Sequence, residues 1–99
     1  EKLDTLFDTN EIYIADMCRY QHAWLTFLQG DAELTKIQLS KIENETIFKE
    51  LAHIFQAEIL DFIDKDISNA IDSYLEFLEL YPQSIYYDDV RLRLRELAS

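Results

Sequence analysis

Apolar residues recur along this chain at spacings of three and four, and nowhere do they alternate with polar residues over the length of a strand. That is the period of amphipathic helices. Met17, Cys18, Gln21, Trp24, Leu25 and Leu28 mark the predicted inward face of a first long helix. Gly30, the only glycine, follows where a left-handed terminal residue is wanted. Upstream, Asp8 with Glu11 has the form of a capping box and Phe7 with Ile12 that of a hydrophobic staple, which places the helix start near residue 8. Residues 2–7, with Leu3, Leu6 and Phe7, then read as the tail of an earlier helix.

Asp31 can cap a second, shorter helix carrying Ala32, Leu34, Ile37, Leu39 and Ile42, and Glu43, Asn44 and Glu45 form the expected break. A third helix is predicted over 46–64, with Phe48, Leu51, Phe55, Ile59, Phe62 and Ile63 in one wide stripe. Lys65 and Asp66 make a tight turn, and Asp66 caps a fourth helix with Ala70, Tyr74, Phe77 and Leu78 on its inner face. Pro82 ends that helix, since it cannot donate the next intrahelical bond. Ser84 is the expected cap of a fifth, with Asp88 and Asp89 at its start, Arg91, Arg93 and Arg95 toward its end, and Tyr86, Val90, Leu94 and Leu97 on its apolar face.

The order of long helix, turn and shorter helix occurs twice, with Ala32 and Ala70 standing 38 residues apart. Residues 66–97 are the sharper copy: Asp66, Ala70, Ile71, Tyr74, Phe77, Leu78, Tyr81, Pro82, Ser84, Tyr86, Val90 and Leu94. This pattern resembles a tetratricopeptide (TPR) repeat, whose period is about 34 residues, and is similar to the TPR units of bacterial envelope proteins of the outer-membrane-assembly lipoprotein and Tol-Pal coordinator type. Ile67, Tyr87 and Val90 depart from that form, where a tyrosine, a small residue and an alanine are usual. The resemblance implies an all-α fold of two antiparallel TPR-like hairpins with a C-terminal capping helix, a fragment of a right-handed α-solenoid. It divides a single domain over 1–99 into a degenerate first repeat (8–44), a second repeat (45–82) and a capping helix (84–98). It also implies a periplasmic or outer-membrane-associated setting, with the cytoplasm left open. A chain that begins at Glu1 and stops one turn after a helix pattern reads as a piece of a longer array.

Charge narrows the partners. Twenty acidic residues against nine Lys and Arg give a formal charge of −11, a field that repels phosphate backbones and favours a protein or peptide with basic segments over nucleic acid. No apolar run reaches the ~20 residues of a membrane span. Cys18, the single cysteine, cannot form an internal disulfide and is expected to be a buried thiol.

In a TPR array the first helix of each pair lines the concave surface, which here means residues 12–29 and 46–64. The resemblance thus makes Asp16, Arg19, Tyr20, His22, Ala23 and Thr26 on one, and Lys49, Glu50, His53, Gln56, Ala57 and Asp61 on the other, the exposed candidates for partner contact. A chaperone-type carboxylate clamp is missing, because the second of these helices offers one lysine among several acids.

Chemistry is thin. His22 and His53 lack metal-ligand spacing, so no metal or other cofactor is expected. Glu58, Asp61 and Asp64 could pair carboxylates as a small enzyme would, but a solvated helix face explains them more simply. One glycine cannot build a phosphate loop, and no nucleophile arrangement appears. The expected function is a non-catalytic protein-interaction scaffold. The alternative is a helical homo-oligomerisation domain meeting its copy through the final helix around Tyr87 and Leu92.

Overall fold

The computed structural model describes the backbone of residues 2–99 and the side chains from Asn10 onward. Among the described residues there are five α-helices and no strand: α1 (Lys2–Leu28), α2 (Ala32–Ser40), α3 (Ile47–Glu58), α4 (Ile67–Leu80) and α5 (Tyr87–Ala98). A π-helical segment, Ile59–Ile63, continues α3. The chain divides into two compact units, Glu1–Ala52 and His53–Ser99, so that α3 begins in the first and ends in the second.

In the first unit α1 packs on α2. The helix runs unbroken through Asp8, so the start predicted there and the separate earlier helix over residues 2–7 are both corrected. The Phe7–Ile12 staple rests on a side chain outside the described residues. At the other end Gly30 takes φ 91°. Its N–H donates to the Phe27 carbonyl at 2.9 Å, and the Asp31 N–H donates to the Thr26 carbonyl at 3.3 Å, which closes the helix in a Schellman turn. Asp31 then caps α2, its Oδ1 accepting from the Leu34 N–H at 3.0 Å. Ala23 and Thr26 of α1 and Thr35 and Leu39 of α2 are all buried. Three of these are small, which lets the backbones approach closely.

The second unit closes on Ala57, Ala70, Tyr74, Phe77 and Val90, with Ile54, Leu60, Leu78, Tyr81, Leu94 and Leu97 packed around them. The face predicted for α4 is thus its buried face, and Val90, Leu94 and Leu97 supply that of α5. Tyr86, also assigned to that face, is exposed. Asp66 caps α4, accepting from the Asn69 N–H at 3.4 Å and from Asn69 Nδ2 at 2.7 Å. The turn before it is made by Lys65 at φ 56°, a left-handed residue that is not glycine and costs about 1 kcal/mol. Ser84 does not cap α5. Its hydroxyl accepts from the Tyr86 N–H at 3.1 Å and its carbonyl from the Tyr87 N–H at 3.1 Å, so it shapes the turn, and the helix begins at Tyr87.

The predicted third helix ends where expected but changes pitch before it does. The Asp64 N–H donates to the Ile59 carbonyl at 2.9 Å, five residues back, so the segment falls behind the α-helical register. Asp61 turns inward, while Phe62 and Ile63, expected in the core, are exposed.

Candidate interaction surface

Among the described residues each unit holds one fully buried carboxylate. In the second unit the π-helical segment brings Asp61 between α4 and α5. Its Oδ2 accepts from Arg93 Nε at 2.7 Å and from the Tyr74 hydroxyl at 2.9 Å, and its Oδ1 accepts from Arg93 Nη2 at 2.8 Å. The fork-on-fork geometry with Arg93 is the strong form of this contact. It holds the Asp61 carboxyl below its usual range, outweighing the burial that pushes it up. Burial, and then the hydrogen bond to Asp61, push the Tyr74 phenol well above its usual value. The Arg93 guanidinium also lies 4.7 Å from the centre of the Phe62 ring, giving that exposed aromatic a cation–π contact. Glu58 is raised, first by desolvation and then by the charge of Asp61.

In the first unit Asp16 Oδ1 accepts from Arg19 Nη1 at 3.0 Å and from Asn44 Nδ2 at 3.2 Å, and its Oδ2 accepts from the Thr46 hydroxyl at 2.7 Å. The carboxylate therefore ties α1 to the segment that precedes α3. Thr26 satisfies its own hydroxyl on the His22 carbonyl at 3.0 Å. A polar face of α1 is buried because every polar atom on it named here finds a donor or acceptor inside.

Burial of that face rotates the other one outward. Trp24 is 41% exposed, Leu25 59% and Leu28 72%, and Cys18 is exposed as well. This is the stripe the sequence places in the core, and the expected buried thiol is corrected with it. Met17, Tyr20, Gln21, Trp24, Leu25 and Phe48 line an open groove of about 570 Å³. Phe48 forms its floor through ring contacts with Tyr13 at 5.0 Å and Tyr20 at 5.9 Å. Tyr20, Gln21 and Trp24 carry the few polar atoms of a lining that is otherwise apolar, so the groove can take up apolar groups.

The candidates for partner contact fare unequally. Asp16, Ala23, Thr26, Ala57 and Asp61 are buried, which corrects their expected exposure: the two aspartates are internal struts, and Asp61 leaves the carboxylate face expected of it with Glu58 and Asp64, both of which are exposed. Arg19 keeps its head half in solvent while pairing with Asp16, His22 is exposed, and Tyr20 belongs to the groove. Lys49 pairs with Glu45 at 2.5 Å. Glu50 and Gln56 are half-buried, and His53 packs edge-on to Tyr81 and tilted on Phe77 at 6.1 Å each. His53, Gln56, Ala57 and Asp61 lie in the second unit and the other eight in the first.

The spacing assigns Met17, Leu25 and Phe48 to packing, and Trp24 to packing or to a partly exposed anchor, yet a signal for the exposure of the α1 stripe is present. Between Ile12 and Gly30 apolar residues occur on nearly every side of the helix, more than one neighbour can cover. Among the described residues no group of His, Cys, Asp and Glu is placed to hold a metal ion, and no helix is long and apolar enough to cross a membrane. Comparison with protein-family models, curated proteins and solved structures returns no match to this chain.

Proposed function

We propose that this chain is a non-catalytic protein-interaction module that recruits a protein partner through the exposed apolar face of α1. The observation that carries the reading is the groove built from Met17, Tyr20, Trp24, Leu25 and Phe48 on a helix whose other face is already buried. Contiguous apolar surface of this kind is costly to leave in water and marks interaction sites. Trp and Tyr at its centre are residues that anchor interfaces. The TPR-like hairpin remains the proposed architecture for residues 66–97. It is supported by Ala70 buried in one core with Tyr74 and Phe77, and by the break at Pro82 before Val90 and Leu94 return to that core.

A photo-activatable cross-linking residue at position 25, introduced into the chain in its native cells, tests the reading. A discrete protein adduct is expected from position 25 and none from position 72 on α4, which is also exposed. Equal labelling at the two positions, or no adduct at 25 and at 28, would overturn it.

A further inference from the structure

A chain with a formal charge of −11 distributes its acids over nearly all of its length, but residues 12–30 contain a single one, Asp16. That one is fully buried and hydrogen-bonded to Arg19, Asn44 and Thr46. The exposed side of α1 over these two dozen Å of helix is therefore apolar and free of negative charge, with Arg19 and His22 its only ionisable basic groups.

Along residues 12–30 a basic peptide would find no exposed acid to recognise, the exposed acids nearest in sequence being Glu11 and Asp31. An acidic partner would meet no like charge. The partner that satisfies both conditions and is certain to share them is another copy, whose repulsion is least where this face meets itself.

Resting on the reading of α1 as an interaction surface, we infer that its occupant is a second copy of this chain, joined by a two-fold contact in which the α1 faces cover each other. Area supports the assignment. Tyr13, Ile14, Trp24, Leu25 and Leu28 are 41 to 72% exposed, which at ~200 Å² per large side chain is roughly 500 Å² per copy. Met17, Tyr20, Gln21 and Phe48 bring the face to about 700 Å². Two faces then bury about 1,400 Å² together, within the range of about 1,200–2,000 Å² that specific association uses. In a two-fold contact a residue that meets its neighbour across the axis is met by the same neighbour, so each substitution acts twice.

Sedimentation equilibrium of the purified chain over a concentration series tests this. The mass should rise from 11.8 kDa toward twice that value. Added salt should strengthen the association by shortening the Debye length from about 30 Å to about 8 Å, opposite in sign to a basic partner. Leu25→Asp should weaken it at least about tenfold, because both copies carry the change, and its circular dichroism should match the parent's. Asp72→Lys, off the face, should still associate. A mass of 11.8 kDa at every concentration up to about 1 mM would overturn the inference. So would a dimer indifferent to both Leu25→Asp and Leu28→Asp. A monomer that nonetheless yields a different protein's adduct from position 25 in cells would end the self-association and leave the interaction reading standing.

Discussion

The two units solve one problem in different ways and leave different surfaces behind. Each buries an aspartate: Asp61 against a charged fork and a phenol, Asp16 against an amide, a hydroxyl and a half-exposed Arg19. Around Asp61 the apolar residues of α4 and α5 close into one core. Around Asp16 they do not, because α1 turns Asp16, Ala23 and Thr26 inward and sends Trp24, Leu25 and Leu28 out. A buried polar network fixes which way a helix faces, and here it decides whether an apolar stripe becomes core or surface.

The largest effect should come from the charged network. Asp61→Ala leaves the Tyr74 hydroxyl buried without its acceptor and Arg93 without its counter-charge, and should lower the unfolding free energy by about 2–3 kcal/mol. The figure is held to that range because the Arg93 side chain is 32% exposed and water screens part of the loss. Urea unfolding measures it. An indistinguishable transition would remove Asp61 as the strut of the second unit.

Acid should reveal the same contact. The folded-state pKa of Asp61 is depressed, so its contribution is fully present above the unfolded value of about 3.9 and is lost as the pH falls from there through the folded value. Unfolding curves between about pH 5 and pH 2 should show a decline that Asp61→Asn flattens. A decline equally steep in the variant would assign it to other carboxylates.

Much of the helical architecture was legible because its signals are local. Asp31 and Asp66 cap the helices that follow them, Gly30 takes the left-handed position, and Ala70, Tyr74 and Phe77 form the face their spacing marks. What escaped was non-local. The partners that draw Asp16 and Asp61 inside lie 28, 30 and 32 residues away along the chain. A charged residue with no partner in sight reads as solvent-facing, and the error carries Cys18, Trp24 and Leu25 into a core they do not join. The pitch change at Ile59–Ile63 has no composition signature, so Phe62 and Ile63 were placed inward with it.

A smaller loss separates Asp16 from Asp61. Asp16→Ala removes the acceptor of Asn44 and Thr46, but Asn44 is exposed and can turn to water, so about 1–2 kcal/mol is expected. If this variant proves as damaging as Asp61→Ala, the network with the half-exposed Arg19 is as strong as the forked one with Arg93 and the contrast fails. Smaller still, Lys65→Gly should stabilise by about 0.5–1 kcal/mol by relieving the left-handed φ of 56°. A loss in its place would show that the lysine side chain contributes more than its backbone costs.

The smallest expected change bears on the central claim, that the apolar stripe of α1 is a surface for partners and not part of a core. The unfolding free energy of Leu25→Asp, measured at a dilution where the chain is monomeric, tests it most directly. Because the side chain is 59% exposed, the value should match the parent within about 0.5 kcal/mol. A loss of about 2 kcal/mol or more, the signature of a charge driven into packed apolar groups, would contradict the account.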